Sequence, residues 1–202
     1  GLGDKVYCLH SNGFSAFGVD FAEETVRRIN ECFPELDVRV GDVRRLEFSD
    51  GFFDGYWSIG VIEHFREGYG SVLNEMRRVV KPGGYVFLAF PYMSPLRRLK
   101  ARLGLYPEYL GNNDIGGFYQ YILDEGKVRG DFEKAGFTLK YRRPYDGIKG
   151  LKDEVSFFKP FLQHIYDYNG ALFLVNRFRS LLSTLLSFFS AHMLFMVFRK
   201  DG

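Results

Sequence analysis

The chain has 202 residues, 46% of them hydrophobic, which is enough for one α/β domain with a real core. Its formal net charge of +2 removes bulk electrostatics as a reason to expect nucleic acid. The two cysteines, Cys8 and Cys32, fall in no metal or redox spacing, so no metal is expected and both read as small buried apolar residues rather than a disulfide.

Gly1-Leu2-Gly3-Asp4 opens directly into a helix over 5–12, with Val6, Leu9 and His10 at helical spacing and Asn12-Gly13 at its end. A short strand over 15–19 leaves Asp20 at its carboxyl end. The next helix, 22–33, carries Glu23 and Glu24 in its first turn, where the helix dipole favours them, and Pro34 breaks it. A strand over 36–40 leads into Gly41-Asp42-Val43. A doubly wound sheet delivers its Gly-rich loop from a strand. Here the chain begins at the loop, so that strand is expected ahead of Gly1, and a targeting segment there stays open.

The stretch 52–90 organises the rest. Phe53–Ile59 is an apolar run ending in a turn with Gly60, Glu63 and His64. Val72, Leu73, Met76, Val79 and Val80 share a helical face, with Glu75, Arg77 and Arg78 directed elsewhere. Lys81-Pro82-Gly83-Gly84 stops that helix, and 85–90 is a second apolar run bounded by Pro91. Strand, helix and strand of this buried type predict a parallel βαβ unit, whose ligands sit at the carboxyl ends of the strands.

Beyond Phe90 come a basic helix over 96–103, a loop through Gly111 to Gly117, and an aromatic run, Phe118-Tyr119-Gln120-Tyr121. A helix over 125–135 closed by Gly136, a strand over 138–143 and a helix over 151–168 follow. No Asp, Glu, Lys or Arg occurs from Ser180 to Phe198, so length alone admits a membrane span. The periodicity argues against it. Leu174, Phe178, Leu181, Leu185 and Phe189 share one face, and Asn176, Ser180, Ser183, Thr184 and Ser187 the other. The expectation is an amphipathic helix packing on its own sheet, on a membrane surface or on another subunit through residues 170–190, then a last strand over 192–198.

Gly1-x-Gly3 entering a helix suits close approach of a ligand to the backbone, though a structural turn looks the same. Asp20 at a strand end can accept both hydroxyls of a ribose or cap the helix behind it. Asp42 can accept from an adenine amino group beside Val43, or simply close a turn.

Together these residues resemble the class I S-adenosylmethionine-dependent methyltransferases. The matching positions are Gly1-Leu2-Gly3, Gly18-Val19-Asp20-Phe21, Gly41-Asp42-Val43, Phe53-Asp54 through Gly60-Val61-Ile62-Glu63-His64, and Leu73 to Gly84 with its Arg-Val-Val-Lys-Pro-Gly-Gly ending. The resemblance implies a Rossmann-like, doubly wound, mostly parallel sheet with an antiparallel last strand in a three-layer αβα arrangement. It implies S-adenosyl-L-methionine as cofactor, with Gly1 and Gly3 facing its methionine part, Asp20 the ribose, Phe21 the adenine face and Asp42 with Val43 the adenine edge. The backbone of Ser58 and Ile59 would lie near the methionine amino group, and Glu63 and His64 near the sulfonium. His64 then acts as a base or only shapes the pocket.

On this reading residues 1–202 form one methyltransferase domain: 1–90 the cofactor-binding half, 91–124 a variable cap with Tyr92, Tyr119 and Tyr121 as candidate walls, and 125–202 the C-terminal half. The expected protein is a cytoplasmic or membrane-peripheral enzyme methylating a small, lipophilic molecule. The alternatives are a methyltransferase-like binding subunit without turnover and a nicotinamide-dependent oxidoreductase, the latter disfavoured by Asp42 and the 81–84 ending.

Overall fold

The computed structural model describes residues 3–106 and 119–202. Helix α1 (Asp4–Ser11) begins at Gly3, whose φ of 80° lies in the left-handed region glycine tolerates. Strands β1 (Phe17–Asp20) and β2 (Asp37–Val40) run parallel, with Asp20 opposite Val40. Helix α2 (Glu23–Cys32) crosses between them. Its Val26 and Ile29 bury against Leu36 and Val38 in a small core of their own, and Glu24 bonds Arg27 and Arg28 on the wet side.

The larger core lies further along. Strand β3 (Phe53–Ile59), helix α3 (Gly70–Val79) and strand β4 (Val80–Pro91) form the expected parallel βαβ unit. The Pro82-Gly83-Gly84 segment, read as the stop of the helix, is an irregularity inside β4: Phe53 faces Val80, but Gly55 faces Tyr85. A Cβ on Gly84 would stand 3.0 Å from the Asp54 carbonyl oxygen, so the excursion needs glycine there. After α4 (Pro95–Arg102), α5 (Glu125–Lys134) and β5 (Phe137–Tyr145), three helices precede the last strand: α6 (Gly147–Glu154), α7 (Lys159–Asp167) and α8 (Phe173–Ser190). Strand β6 (Met193–Lys200) inserts antiparallel between β4 and β5, giving the order β3-β4-β6-β5. This is the expected antiparallel last strand.

Period-two alternation builds the main core. Val86, Leu88 and Phe90 of β4 and Leu194, Met196 and Phe198 of β6 are fully buried beneath Val72, Met76 and Val79 of α3 and Val128 and Phe132 of α5. Phe132 stacks on Phe198 with centroids 4.5 Å apart. Each such side chain contributes about 1.5–3 kcal/mol on burial.

The sheet is in two pieces: among the described residues no strand hydrogen-bonds β1 to β3, and the pieces meet through Phe17, which packs on Phe48, Phe52 and Phe53. Three expectations are corrected. The helix read over 151–168 is broken, because Val155 turns to an extended conformation and Pro160 opens a new helix. Cys8 and Cys32 are free but exposed, since each sits on the outer face of its helix. Glu75, directed away from the apolar face of α3 by its spacing, is nonetheless buried. Its carboxylate accepts from Leu46 N–H and from Arg78, which also reaches the Phe48 carbonyl oxygen, so the pair ties the 46–50 segment to the helix.

Candidate functional site

Parallel strands end on one side of their sheet, and the acidic turns gather there. The Gly41 N–H donates to the Asp20 carbonyl oxygen at 3.0 Å, which sets the Asp20 and Asp42 turns side by side. Asp20 Oδ1 also accepts from Ala22 N–H at 3.0 Å, so it holds the start of α2 while it faces the turn. Phe21 beside it is 85% exposed. Asp42 is differently committed. Its carboxylate accepts from both the backbone and the guanidinium of Arg44, and this hydrogen bonding holds it below the usual carboxylate range. Val43 packs against the main core. Among the described residues no side chain caps the start of α1 at Gly3. Gly1 lies outside the described residues, as do Gly111 to Gly117 and Phe118.

The second half of the site is the turn after β3. Gly60, with φ 71°, donates its N–H to Ala89 of β4 at 2.8 Å. By the alternation of a parallel ladder Ser58 shares that edge, and Ile59 turns its backbone groups to the opposite one. The Ser58 side chain is buried, with no partner for Oγ among the described residues. Glu63 is 1% exposed and its Oε2 likewise has no partner, and burial pushes its carboxyl up. His64 next to it is exposed. Its Nδ1 lies 2.7 Å from the Tyr119 carbonyl oxygen, which makes Nδ1 the donor of that bond.

Of the candidate walls, Tyr119 packs edge-on to the His64 ring, and Tyr121 N–H donates to the Glu63 carbonyl oxygen. Tyr92 is buried in the sheet core instead. Two further residues with perturbed groups lie at the end of β5. Burial, with the charges of Asp146 and Glu63 behind it, holds the Tyr145 hydroxyl up at about 12. Asp146 takes a left-handed conformation, φ 59° and ψ 47°, and burial raises its carboxyl. The Asp-Gly pair at a strand end was the available signal for this strained turn.

Three hollows of about 790, 740 and 440 Å³ open on the surface. The first lies between α3 and α5 and the second beneath α8, where Tyr145 and Asp146 line it. None of the three is lined by Asp20, Asp42 or His64.

Residues 1–88 match the family described as a methyltransferase domain. Over 74 residues the chain is 31% identical to a probable S-adenosylmethionine-dependent methyltransferase of Mycolicibacterium smegmatis, covering 37% of this chain and 28% of that protein. Over 80 residues it is 36% identical to the 2-methyl-6-phytyl-1,4-hydroquinone methyltransferase of Synechocystis, covering 38% of this chain and 25% of that protein. The chain spans about a quarter of the length of these curated relatives. A solved SAM-dependent methyltransferase from Archaeoglobus fulgidus has the same fold, with a TM-score of 0.63 over 99% of this chain and 82% of that one at 16% identity.

Proposed function

We propose that this chain, whose residues 1–88 match a methyltransferase domain, is a class I S-adenosylmethionine-dependent methyltransferase that binds S-adenosylmethionine across the carboxyl ends of β1, β2 and β3 and methylates a small, lipophilic acceptor. The observation that carries the reading is the adjacency of the Asp20 and Asp42 turns on neighbouring parallel strands. A nucleoside needs such a pair of acceptors, and these are the ends of the strands where ligands bind in such sheets.

The residues fit that group. Asp20 presents a carboxylate at the strand end for the ribose hydroxyls, and the exposed Phe21 ring offers a face to the adenine. Val43 supplies apolar surface at the adenine edge, with Asp42 beside it. The uncapped start of α1 at Gly3 offers N–H groups to a carboxylate, and the outward backbone of Ile59 an acceptor to an ammonium. The buried Oε2 of Glu63, without a partner among the described residues, is a polar atom such a ligand could satisfy.

When bound, S-adenosylmethionine supplies a methyl group already activated on a sulfonium. The chain's own work is then to align the acceptor, exclude water and take a proton. His64 suits the last task, because its Nδ1–H donates to the Tyr119 carbonyl oxygen and Nε2 is the ring nitrogen left to take a hydroxyl proton. The lipophilic character of the acceptor is drawn from the Synechocystis relative, which is named for a phytylhydroquinone.

Calorimetric titration with S-adenosylmethionine and S-adenosylhomocysteine tests the reading, followed by transfer of labelled methyl to alkylated hydroquinones. Saturable binding and labelled product are expected. Absence of binding to either ligand removes the proposal, and binding without transfer to any acceptor makes the chain a methyltransferase-like binding subunit instead.

A further inference from the structure

Helix α8 is inside out. Its buried positions are the serines: Ser187 is 3% and Ser190 1% exposed. Ser187 Oγ donates to the Ser183 carbonyl oxygen at 2.7 Å, and Ser190 Oγ donates to the Gly147 carbonyl oxygen of α6 at 2.9 Å. The apolar side chains face away from the protein. Leu174 is 79% exposed, Phe178 58%, Leu181 60%, Leu185 58% and Phe188 74%, at spacings of three and four residues that make one continuous stripe. Phe157 and Phe161, beside and within α7, are exposed as well.

A stripe of this size left in water marks a surface that something covers. The charges say what. No Asp or Glu occurs between Asp167 and Asp201, and the charged residues of α8 are Arg177 and Arg179. Arg177 lies over the Phe173 ring, at the border between the stripe and its polar margin. An apolar face whose own helix carries only cations complements a surface that is apolar beneath and anionic above. A second copy of α8 would bury the stripe but bring two cationic margins together with no carboxylate of its own to pair them. No described helix is long and apolar enough to cross a membrane.

We propose that α8 is an interfacial helix, which rests its Leu174–Phe188 stripe on an anionic lipid bilayer with Arg177 at the headgroups. Helices α6–α8 enter the fold where β5 ends, and β5 runs parallel to β4, so they lie on the side of the sheet that carries the His64 turn. Docking there sets that turn near a bilayer in which lipophilic molecules dissolve. The inference stands apart from methyl transfer, since a chain that binds no S-adenosylmethionine can still dock.

Co-sedimentation of the full chain with phosphatidylcholine vesicles, with and without phosphatidylglycerol, tests it. Partitioning is expected on the phosphatidylglycerol vesicles, weakened about tenfold by the double change Leu181→Ser with Leu185→Ser and about fivefold by Arg177→Glu. These side chains are exposed, so near-ultraviolet circular dichroism and thermal melting of the variants should match the parent. Failure to bind either vesicle overturns the proposal. So does binding that the Leu181→Ser, Leu185→Ser change leaves intact, or a dimer in sedimentation velocity that this change dissolves while vesicles capture nothing.

Discussion

Gly150 of α6 lies directly against Ser190 of α8: a Cβ at Gly150 would stand 1.6 Å from the Ser190 carbonyl oxygen. The obstacle is backbone, which cannot rotate aside. Gly147 repeats the relationship, 2.3 Å from the Ser187 nitrogen. The two helices therefore cross at backbone contact, and the serine face of α8 is the face that can approach so closely.

Gly150→Ala should destabilise the chain by about 3 kcal/mol, the upper end of overpacking costs, seen as a lower urea midpoint. Gly130→Ala, in the open on α5, is the control. It should stabilise by about 1 kcal/mol, because alanine is the better helix former. Equal effects at the two sites would mean that α6 and α8 do not touch through their backbones.

His192 gives the fold a pH dependence. Burial, then the charges of Lys149 and Arg97, lower it from 6.5 to about 4, while Asp153 and Glu154 oppose them. Lys149 Nζ stands 2.7 Å from Nε2. Because the folded pKa is depressed, the unfolded chain binds the proton more readily. Stability present above pH 6.5 should fall as the pH drops toward 4, by at most about 3 kcal/mol. Urea titrations across that window should show the loss, and His192→Gln should flatten it.

Glu63→Gln should raise stability at neutral pH by about 1 kcal/mol, since it removes a buried carboxylate with an unpartnered oxygen. The sign follows from the raised carboxyl: the folded state holds its proton more tightly, so the wild-type burden is full above the folded pKa and relieved as the pH falls. The gain should vanish in acid. Methyl transfer should weaken in the same variant, and a melting temperature that does not rise at neutral pH would contradict this reading of Glu63.

Asp20→Ala should weaken S-adenosylhomocysteine binding by about 10- to 100-fold, the loss of a charge-assisted pair of hydrogen bonds. Asp42→Asn should cost about threefold or less, because its carboxylate is already held by Arg44. Calorimetry on both variants checks the contrast, and a reversed order would shift the nucleoside contact to the second turn.

Part of the fold was legible in one dimension. The apolar run of β3 and the helical spacing of α3 set their own periods, so the parallel βαβ unit followed from local chemistry. Glu75 was misassigned because helical phase says which residues share a face, while the 46–50 segment that covers its edge arrives from elsewhere. Tyr145 and Asp146 went unnoticed because their burial depends on packing around a strand end some eighty residues beyond Glu63.

Helix α8 marks the boundary most clearly. Its sequence alone determined that it has an apolar face and a serine face, since side-chain spacing sets both without reference to anything else. Only the tertiary structure decided that the serine face goes inward. Gly147 and Gly150 open a contact too close for leucine or phenylalanine, and the serine hydroxyls satisfy themselves on nearby carbonyl oxygens within it. The division of the sheet into two pieces was decided the same way, by which strand edges find a partner in space.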